Sequence, residues 1–261
     1  MWGVIPAAGS ASRIQPLAFS KELLPVGRRI HRGTEQPRAV SEYLVERMIL
    51  GGANKLCFVI GPRKSDILEY YSAIYADACI AYVVQPKAAG LCDAVFRTAP
   101  LIASHEQVIV GLPDTVWFPE DALSQLPNDA LSFLLFPVDE PQFFDAVVVE
   151  RSGRVKEIQV KQPNPASRWV WGAFKIPGYL LSELEQLWRA RNRRDEYIGT
   201  LVNAWLEQGG EAIGIKAGSA YVDVGTLEGY RAAMSLLQSG AAEQCASANG
   251  HDDVAMGASP P

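Results

Sequence analysis

The sequence lacks most of the features that would place it in the simplest functional classes. Its four cysteines, Cys57, Cys79, Cys92 and Cys245, form no C-x-x-C pair, and there are only three histidines, His31, His105 and His251. Zinc sites draw on clustered Cys and His, so a zinc centre is not expected. The thiols read as free groups of a reducing compartment. No apolar run approaches the ~18–20 residues that span a bilayer. The chain starts on a strand-like Trp2–Ala8 without a basic leader, so a cytoplasmic protein with no secretory signal and no membrane partner is expected. A basic excess is also missing: 24 Lys and Arg stand against 29 Asp and Glu, a formal net charge of -5. Glu243, Asp252 and Asp253 contribute -3 of this in a stretch without Lys or Arg, which leaves -2 for the body. Nucleic-acid binders usually carry the opposite balance, so no nucleic-acid partner is expected. A small anionic substrate needs only a few well-placed cations. Neither G-x-G-x-x-G nor G-x-x-x-x-G-K-[ST] occurs, so the dinucleotide fingerprint and the P-loop are absent. A nicotinamide oxidoreductase thereby loses its main sequence support.

What is present is an ordinary globular composition of 261 residues, 48% hydrophobic and 20% charged, enough for one large domain. Strand-like segments are expected at Trp2–Ala8, Lys55–Ile60, Ile80–Val84, Gln107–Leu112, Leu131–Val138 and Ala146–Glu150. Helical spacing runs over Val40–Leu50, where Gly51-Gly52 stops it, and from about Ser65 to Tyr75. This rhythm argues for an α/β fold: a mixed, mostly parallel sheet with helices on both faces. The later half is more mixed. Strands are expected at Arg154–Val160, Trp169–Ile176 and Ala212–Ile215, a short extended piece at Tyr221–Gly225, and helices at Pro177–Arg189, Asp195–Gln208 and Leu227–Leu237. The stretch from Gly240 is rich in Ala, Ser, Gly and Pro, and residues 240–261 are expected to be a disordered tail behind a body of residues 1–239.

The most informative stretch follows the first strand. Ala7-Ala8-Gly9-Ser10-Ala11-Ser12-Arg13 combines small residues with an arginine. Small residues let backbone N–H groups approach phosphate oxygens, and the guanidinium adds a forked cation. Eight residues on, Lys21 stands in Ser20-Lys21-Glu22-Leu23-Leu24-Pro25 and supplies a point charge. Alone, such a loop is more simply a surface loop with solvated cations. Together with Pro16-Leu17 between them, the two segments resemble the signature of the sugar-1-phosphate nucleotidylyltransferases, most closely the glucose-1-phosphate thymidylyl- and uridylyltransferases. The resemblance runs over roughly residues 1–237 and continues in the family's order. It implies the nucleotide-diphospho-sugar transferase fold, a Rossmann-like sheet in which residues 1–239 are the nucleotidyltransferase domain.

The resemblance assigns further roles. In Gln85-Pro86-Lys87-Ala88-Ala89-Gly90 the glutamine and the glycine turn would read the nucleotide base, and Ala8, Gly9 and Ser10 would meet the nucleotide phosphates. A glutamine amide offers both a donor and an acceptor, as a pyrimidine imide edge requires. Asp114, in Gly111-Leu112-Pro113-Asp114, and Asp223, in Tyr221-Val222-Asp223-Val224-Gly225-Thr226, would bind Mg2+. Lys161 would hold the sugar phosphate, with Gly172 and Glu196 near the sugar. The implied activity joins dTTP or UTP to a sugar 1-phosphate, giving a nucleotide-sugar and pyrophosphate. Arg13, Lys21, Asp114 and Lys161 would be the catalytic group; homo-oligomers are common in the family. Departures stand beside these matches. Val160 replaces the family's sugar-contacting acid, Gln162 separates Lys161 from Pro163, and Ala11-Ser12 replaces Gly-Thr. They motivate the alternative of a catalytically weak nucleotide-sugar-binding or regulatory homologue. Trp117, Phe118, Arg38 and Cys92 each admit a site role, with core packing or a surface position as the simpler account.

Overall fold

The computed structural model describes residues 1–9, 13–31 and 33–249, the side chains of residues 31 and 239–249 excepted. In chain order, the first half holds β1 (Trp2–Ala7), β2 (Pro25–His31), β3 (Thr34–Ala39), α1 (Val40–Leu50), β4 (Lys55–Ile60), α2 (Ser65–Tyr71), β5 (Ile74–Tyr75), β6 (Ala78–Val84) and α3 (Gly90–Phe96). It is followed by β7 (Gln107–Gly111), β8 (Thr115–Phe118), β9 (Leu131–Pro137), β10 (Asp145–Val149), β11 (Val155–Val160) and β12 (Trp169–Pro177). The chain then runs through α4 (Gly178–Ala190), α5 (Ile198–Leu206), β13 (Ala212–Ile215), β14 (Ala220–Asp223) and α6 (Leu227–Asn249).

Ten of these strands form one sheet, in the order β11-β10-β12-β7-β1-β4-β6-β5, with β9 on β12 and β13 on β9. The strands β7, β1, β4 and β6 run parallel. From β12 outward the pairing turns antiparallel, with β12 against β7, β9 and β10, and β10 against β11. The mixed α/β sheet expected from the residue pattern is therefore present, split into a parallel and a largely antiparallel half. Each strand serves two cores because successive side chains point to opposite faces. Along β7, Val108 and Val110 enter a core with residues of α3, α4 and α5, while Ile109 enters one with residues of α1 and α2. Fully burying such a side chain stabilises by roughly 1.5–3 kcal/mol.

Four boundaries differ from expectation. Residues 25–39 fold into the β2–β3 hairpin, which the sequence reading left unassigned. The helix expected to reach Tyr75 ends at Tyr71, because Ser72 takes a φ of 56° and the chain turns back into β5. The helix expected from Asp195 begins at Ile198. Asp195 is occupied by a two-pronged contact from Arg191, 2.8 and 3.0 Å. The backbone of α6 continues to Asn249, ten residues into the expected tail. Alanines 241, 242, 246 and 248 have the strongest intrinsic helix propensity, which a reading based on low complexity overlooked. Residues 250–261 lie outside the described part. Cys57, Cys79 and Cys92 are free thiols, and no helix is long and apolar enough to cross a membrane, among the described residues.

Candidate active site

A cavity of about 450 Å³ opens beyond the carboxyl ends of the parallel strands, where open α/β sheets place their ligands. One end of it is charged. Ala8 and Gly9 continue from β1 into its wall, and Arg13, Lys21, Asp114 and Asp223 face it. The adjoining Ser10 lies outside the described residues.

Local structure fixes Lys21 from both sides. The backbone N–H and the hydroxyl of Ser20 donate to the two carboxylate oxygens of Asp66, at 2.6 and 2.7 Å. Glu22 is buried, and Lys64 Nζ donates to both of its oxygens at 2.8 Å. Between these anchors a single 3-10 turn, Lys21–Leu23, turns Lys21 toward Asp114, with which it forms an ion pair. Burial disfavours the ammonium. The Asp114 carboxylate and its hydrogen bond, aided by Glu22 and Asp223, outweigh that and hold the Lys21 pKa above its ordinary value. Lys21 is thus a permanent cation at neutral pH.

The two aspartates are brought together by backbone pairing. β14 runs antiparallel to β8 with Asp223 opposite Thr115, and Val224 N–H donates to the Asp114 carbonyl at 2.8 Å. Arg13 Nη2 donates to Asp223 Oδ2 at 3.1 Å. Gly225 keeps the space between these groups open. A Cβ there would stand 2.8 Å from Asp223 Oδ1, 2.9 Å from Arg13 Nη2 and 3.5 Å from Asp114 Oδ2. Among the described residues no group of three or more His, Cys, Asp or Glu is arranged to hold a metal. Two carboxylates remain, a donor set that suits an ion completing its shell with phosphate oxygens and water, as Mg2+ does.

Gln85 is buried at the end of β6 and lines the cavity. Its Nε2 is committed inward, donating to Asp93 Oδ2 at 2.7 Å and to the Gly90 carbonyl at 3.2 Å. The expectation that both halves of the amide face a ligand is corrected: a carboxylate partner requires the NH2 group, which leaves Oε1. Asp93 is itself gripped by Arg97, at 2.7 and 3.1 Å, so the glutamine is rigidly held. Gly90 has a φ of 89°, and a Cβ there would lie 2.6 Å from Glu196 backbone atoms. The Glu196 carbonyl accepts the N–H groups of Leu91 and Cys92 at 2.7 and 3.2 Å. Only glycine meets both demands.

The other end of the cavity is aromatic. Phe143, Phe144, Trp171, Tyr197 and Tyr221 line it, with Lys161 and Asp145. Lys161 follows β11 at a φ of 45°, and its Nζ lies 4.7 Å from the centre of the Tyr197 ring. Two expected contributors do not reach this wall. The Glu196 side chain is exposed and off the cavity; its carbonyl instead anchors the start of α3. Gly172 lies behind the wall, where a Cβ would come within 2.6 Å of Tyr221 and 2.7 Å of Phe136. It makes room for Tyr221 rather than meeting a ligand. Trp117 is fully buried against Phe136. Phe118 packs with residues of β2 and α6 in a separate cluster. Arg38 pairs with Glu46 over the Tyr43 ring, away from the cavity. Burial, with a smaller contribution from Asp195, pushes the Cys92 thiol pKa up, the mark of a packing thiol. Asp145, Glu22 and Lys64 were missed by the sequence reading. The available signal for Asp145 was an acid opening an Ala-Val-Val-Val strand, where Asp is disfavoured.

A family model of nucleotidyl transferases matches residues 2–240. The chain belongs to the nucleotidyl transferase family. It is 24% identical to the UTP–glucose-1-phosphate uridylyltransferase AglF of Haloferax volcanii over 244 residues, 91% of this chain and 97% of that protein. The fold matches, at a TM-score of 0.76 and 21% identity, a protein described as a glucose-1-phosphate thymidylyltransferase of Bacillus anthracis in complex with sucrose, covering 91% of this chain and 95% of that one. It also matches a UTP-bound UGPase from Acinetobacter baumannii, at a TM-score of 0.71 and 20% identity, covering 89% and 91%. The resemblance read from the motifs is borne out at the level of family and fold.

Proposed function

We propose that this nucleotidyl transferase joins a pyrimidine nucleoside triphosphate, UTP or dTTP, to a hexose 1-phosphate and releases pyrophosphate. The observation that carries the reading is the convergence of Arg13, Lys21, Lys161, Asp114 and Asp223 on one cavity. A phosphate oxygen of the sugar 1-phosphate attacks the α-phosphorus of the triphosphate. The bond from that phosphorus to the oxygen bridging toward the β-phosphate breaks, and pyrophosphate leaves with the electron pair. No covalent bond to the protein is needed, so positioning and charge stabilisation supply the catalysis.

Arg13 and Lys21 offset the charge of the triphosphate. Lys161 holds the attacking phosphate at the boundary between the charged and aromatic ends. Asp114 and Asp223 would hold Mg2+, which would supply charge neutralisation. Gln85 Oε1, with its amide nitrogen tied inward, accepts the imide N3–H of uracil or thymine; cytosine has no proton there. The two accepted bases differ by one methyl, about 0.8 kcal/mol of burial.

The test is pyrophosphate release across a matrix of UTP, dTTP and CTP with glucose 1-phosphate and other hexose 1-phosphates, in the presence of Mg2+. Asp114→Asn is the control. Turnover with UTP or dTTP that falls about 10²–10³-fold in the variant is expected. Tight nucleotide binding with no pyrophosphate from any pair would overturn the reading in favour of a binding homologue.

A further inference from the structure

Among the described residues four carboxylates line the cavity: Glu22, Asp114, Asp145 and Asp223. Three have a cation within ion-pair distance, namely Lys64, Lys21 and Arg13. Asp145 differs. Among the described residues its side chain has no ion pair, and its Oδ1 is buried with no partner at full hydrogen-bond geometry, the Trp171 indole N–H and the Lys161 backbone N–H lying beside the carboxylate. The buried indole Nε1 of Trp171, in the same wall, is also without a partner at full hydrogen-bond geometry. A buried polar group left unpaired costs on the order of 1–3 kcal/mol, more when charged. The two groups lie close to each other without closing a full hydrogen bond, which leaves both with capacity for polar groups of a ligand in a ligand-sized cavity.

The backbone fixes where this acid stands. Asp145 opens β10 directly opposite Val160 on β11, and the neighbouring Lys161 N–H donates to the Phe144 carbonyl at 3.1 Å. Residues 144 and 161 are therefore the hydrogen-bonded pair. Residues 145 and 160 are the closer pair beside it, with both side chains on one face. Val160 offers that face no polar atom, and Asp145 is the acid there, one strand across and adjacent in register to Lys161. Burial pushes the Asp145 carboxyl pKa up, and the Lys161 ammonium and the Trp171 N–H pull it back. The surroundings are rings: Phe144 meets Tyr221 edge-on, with centroids 5.7 Å apart, and Tyr197 lies under Lys161.

We propose that Asp145 is the sugar-selecting residue of this site, accepting hydroxyl protons of the hexose 1-phosphate while Trp171 Nε1 donates to a hexose oxygen. This rests on the hexose 1-phosphate reading above. A carboxylate is an acceptor only and a hydroxyl is a donor, so the match is directional. Aromatic walls suit the C–H faces of a sugar ring, and Lys161 is left free for the phosphate.

The test measures binding rather than turnover, so it survives a failure of the catalytic assay. Glucose 1-phosphate, UTP and inorganic phosphate are titrated calorimetrically into the wild type, Asp145→Ala and Asp145→Asn. Asp145→Ala should weaken glucose 1-phosphate about 10–100-fold, with UTP and phosphate changed less than about twofold, and Asp145→Asn should fall between. Deoxyfluoro glucose 1-phosphates accept but do not donate. The wild type should reject the one fluorinated where Asp145 binds, and Asp145→Ala should bind it as well as glucose 1-phosphate. Thermal melts confirm folding, and the near-isosteric Asp145→Asn carries the test should the alanine variant not fold. Glucose 1-phosphate bound equally by all three proteins, or UTP weakened as much as the sugar phosphate, overturns the proposal. A wild type that binds glucose 1-phosphate through Asp145 but releases no pyrophosphate leaves the proposal standing and sinks only the catalytic reading.

Discussion

The two ends of the cavity solve different problems with different means. At the charged end every ionic group has a partner: Lys21 with Asp114, Arg13 with Asp223, Glu22 with Lys64. At the aromatic end the polar groups are sparse, and two of them, Asp145 Oδ1 and Trp171 Nε1, are buried side by side without a full hydrogen bond. Cations and carboxylates suit a polyphosphate and a divalent ion, and they must be held against one another when no ligand is bound. A sugar can be met by any well-placed acceptor among rings. The first end is therefore constrained in residue type and the second in shape.

The comparison can be broken most forcefully at the support beneath Lys21. Lys64→Met would strand the Glu22 carboxylate, which is buried and held by both oxygens. Removing one member of a buried pair costs about 3–5 kcal/mol, readable as a loss of unfolding free energy in urea. The pH dependence has a definite sign. Burial already raises the Glu22 pKa in the folded protein, and Lys64 opposes that rise. Without Lys64 the folded pKa climbs further, so the folded state holds the proton more tightly than the unfolded state does. Stability is then lost as pH rises from the unfolded toward the folded pKa. The variant should thus be less destabilised at about pH 5 than at about pH 8.

Next in size comes Gly225→Ala. Its Cβ would press on Asp223 and Arg13 at 2.8 and 2.9 Å. Pyrophosphate release should fall about 10²-fold, as expected for displacement of catalytic groups by about 1 Å. Glucose 1-phosphate binding at the far end should be unchanged, which separates the two ends in one protein. The smallest effect sharpens the contrast. Glu196→Ala removes an exposed side chain and leaves the carbonyl that anchors α3. Glucose 1-phosphate affinity should shift by less than about twofold, and a larger loss would restore Glu196 as a sugar contact.

Much of this was legible in the residues for physical reasons. Strands such as Lys55–Ile60 and Gln107–Gly111 are continuous apolar runs buried on both faces, and Val40–Leu50 carries helical spacing with a glycine stop. Arg13, Lys21, Asp114 and Asp223 stand in motifs whose residue types are dictated by charge, and all line the cavity. What stayed hidden depends on tertiary context. That Gln85 spends its NH2 group on Asp93 follows from α3 bringing Asp93 back beside the end of β6. That Glu196 acts through its carbonyl follows from the close passage of Gly90. Asp145 became a candidate through its place in the cavity wall and its register opposite Val160. The helix beyond residue 239 was hidden because composition was weighed above propensity.

The seam between the two halves of the sheet has a mechanical consequence. The strand leading to Asp114, β7, lies against β12, which carries Trp171, through five consecutive antiparallel pairs from Ala173–Gly111 to Pro177–Gln107. The separation between the charged end and the aromatic end of the cavity is thus set by a backbone ladder and not by the reach of loops. Such a ladder works as a ruler: it lets the aromatic end be re-cut on β10 and β12 while its distance from the charged end keeps its length.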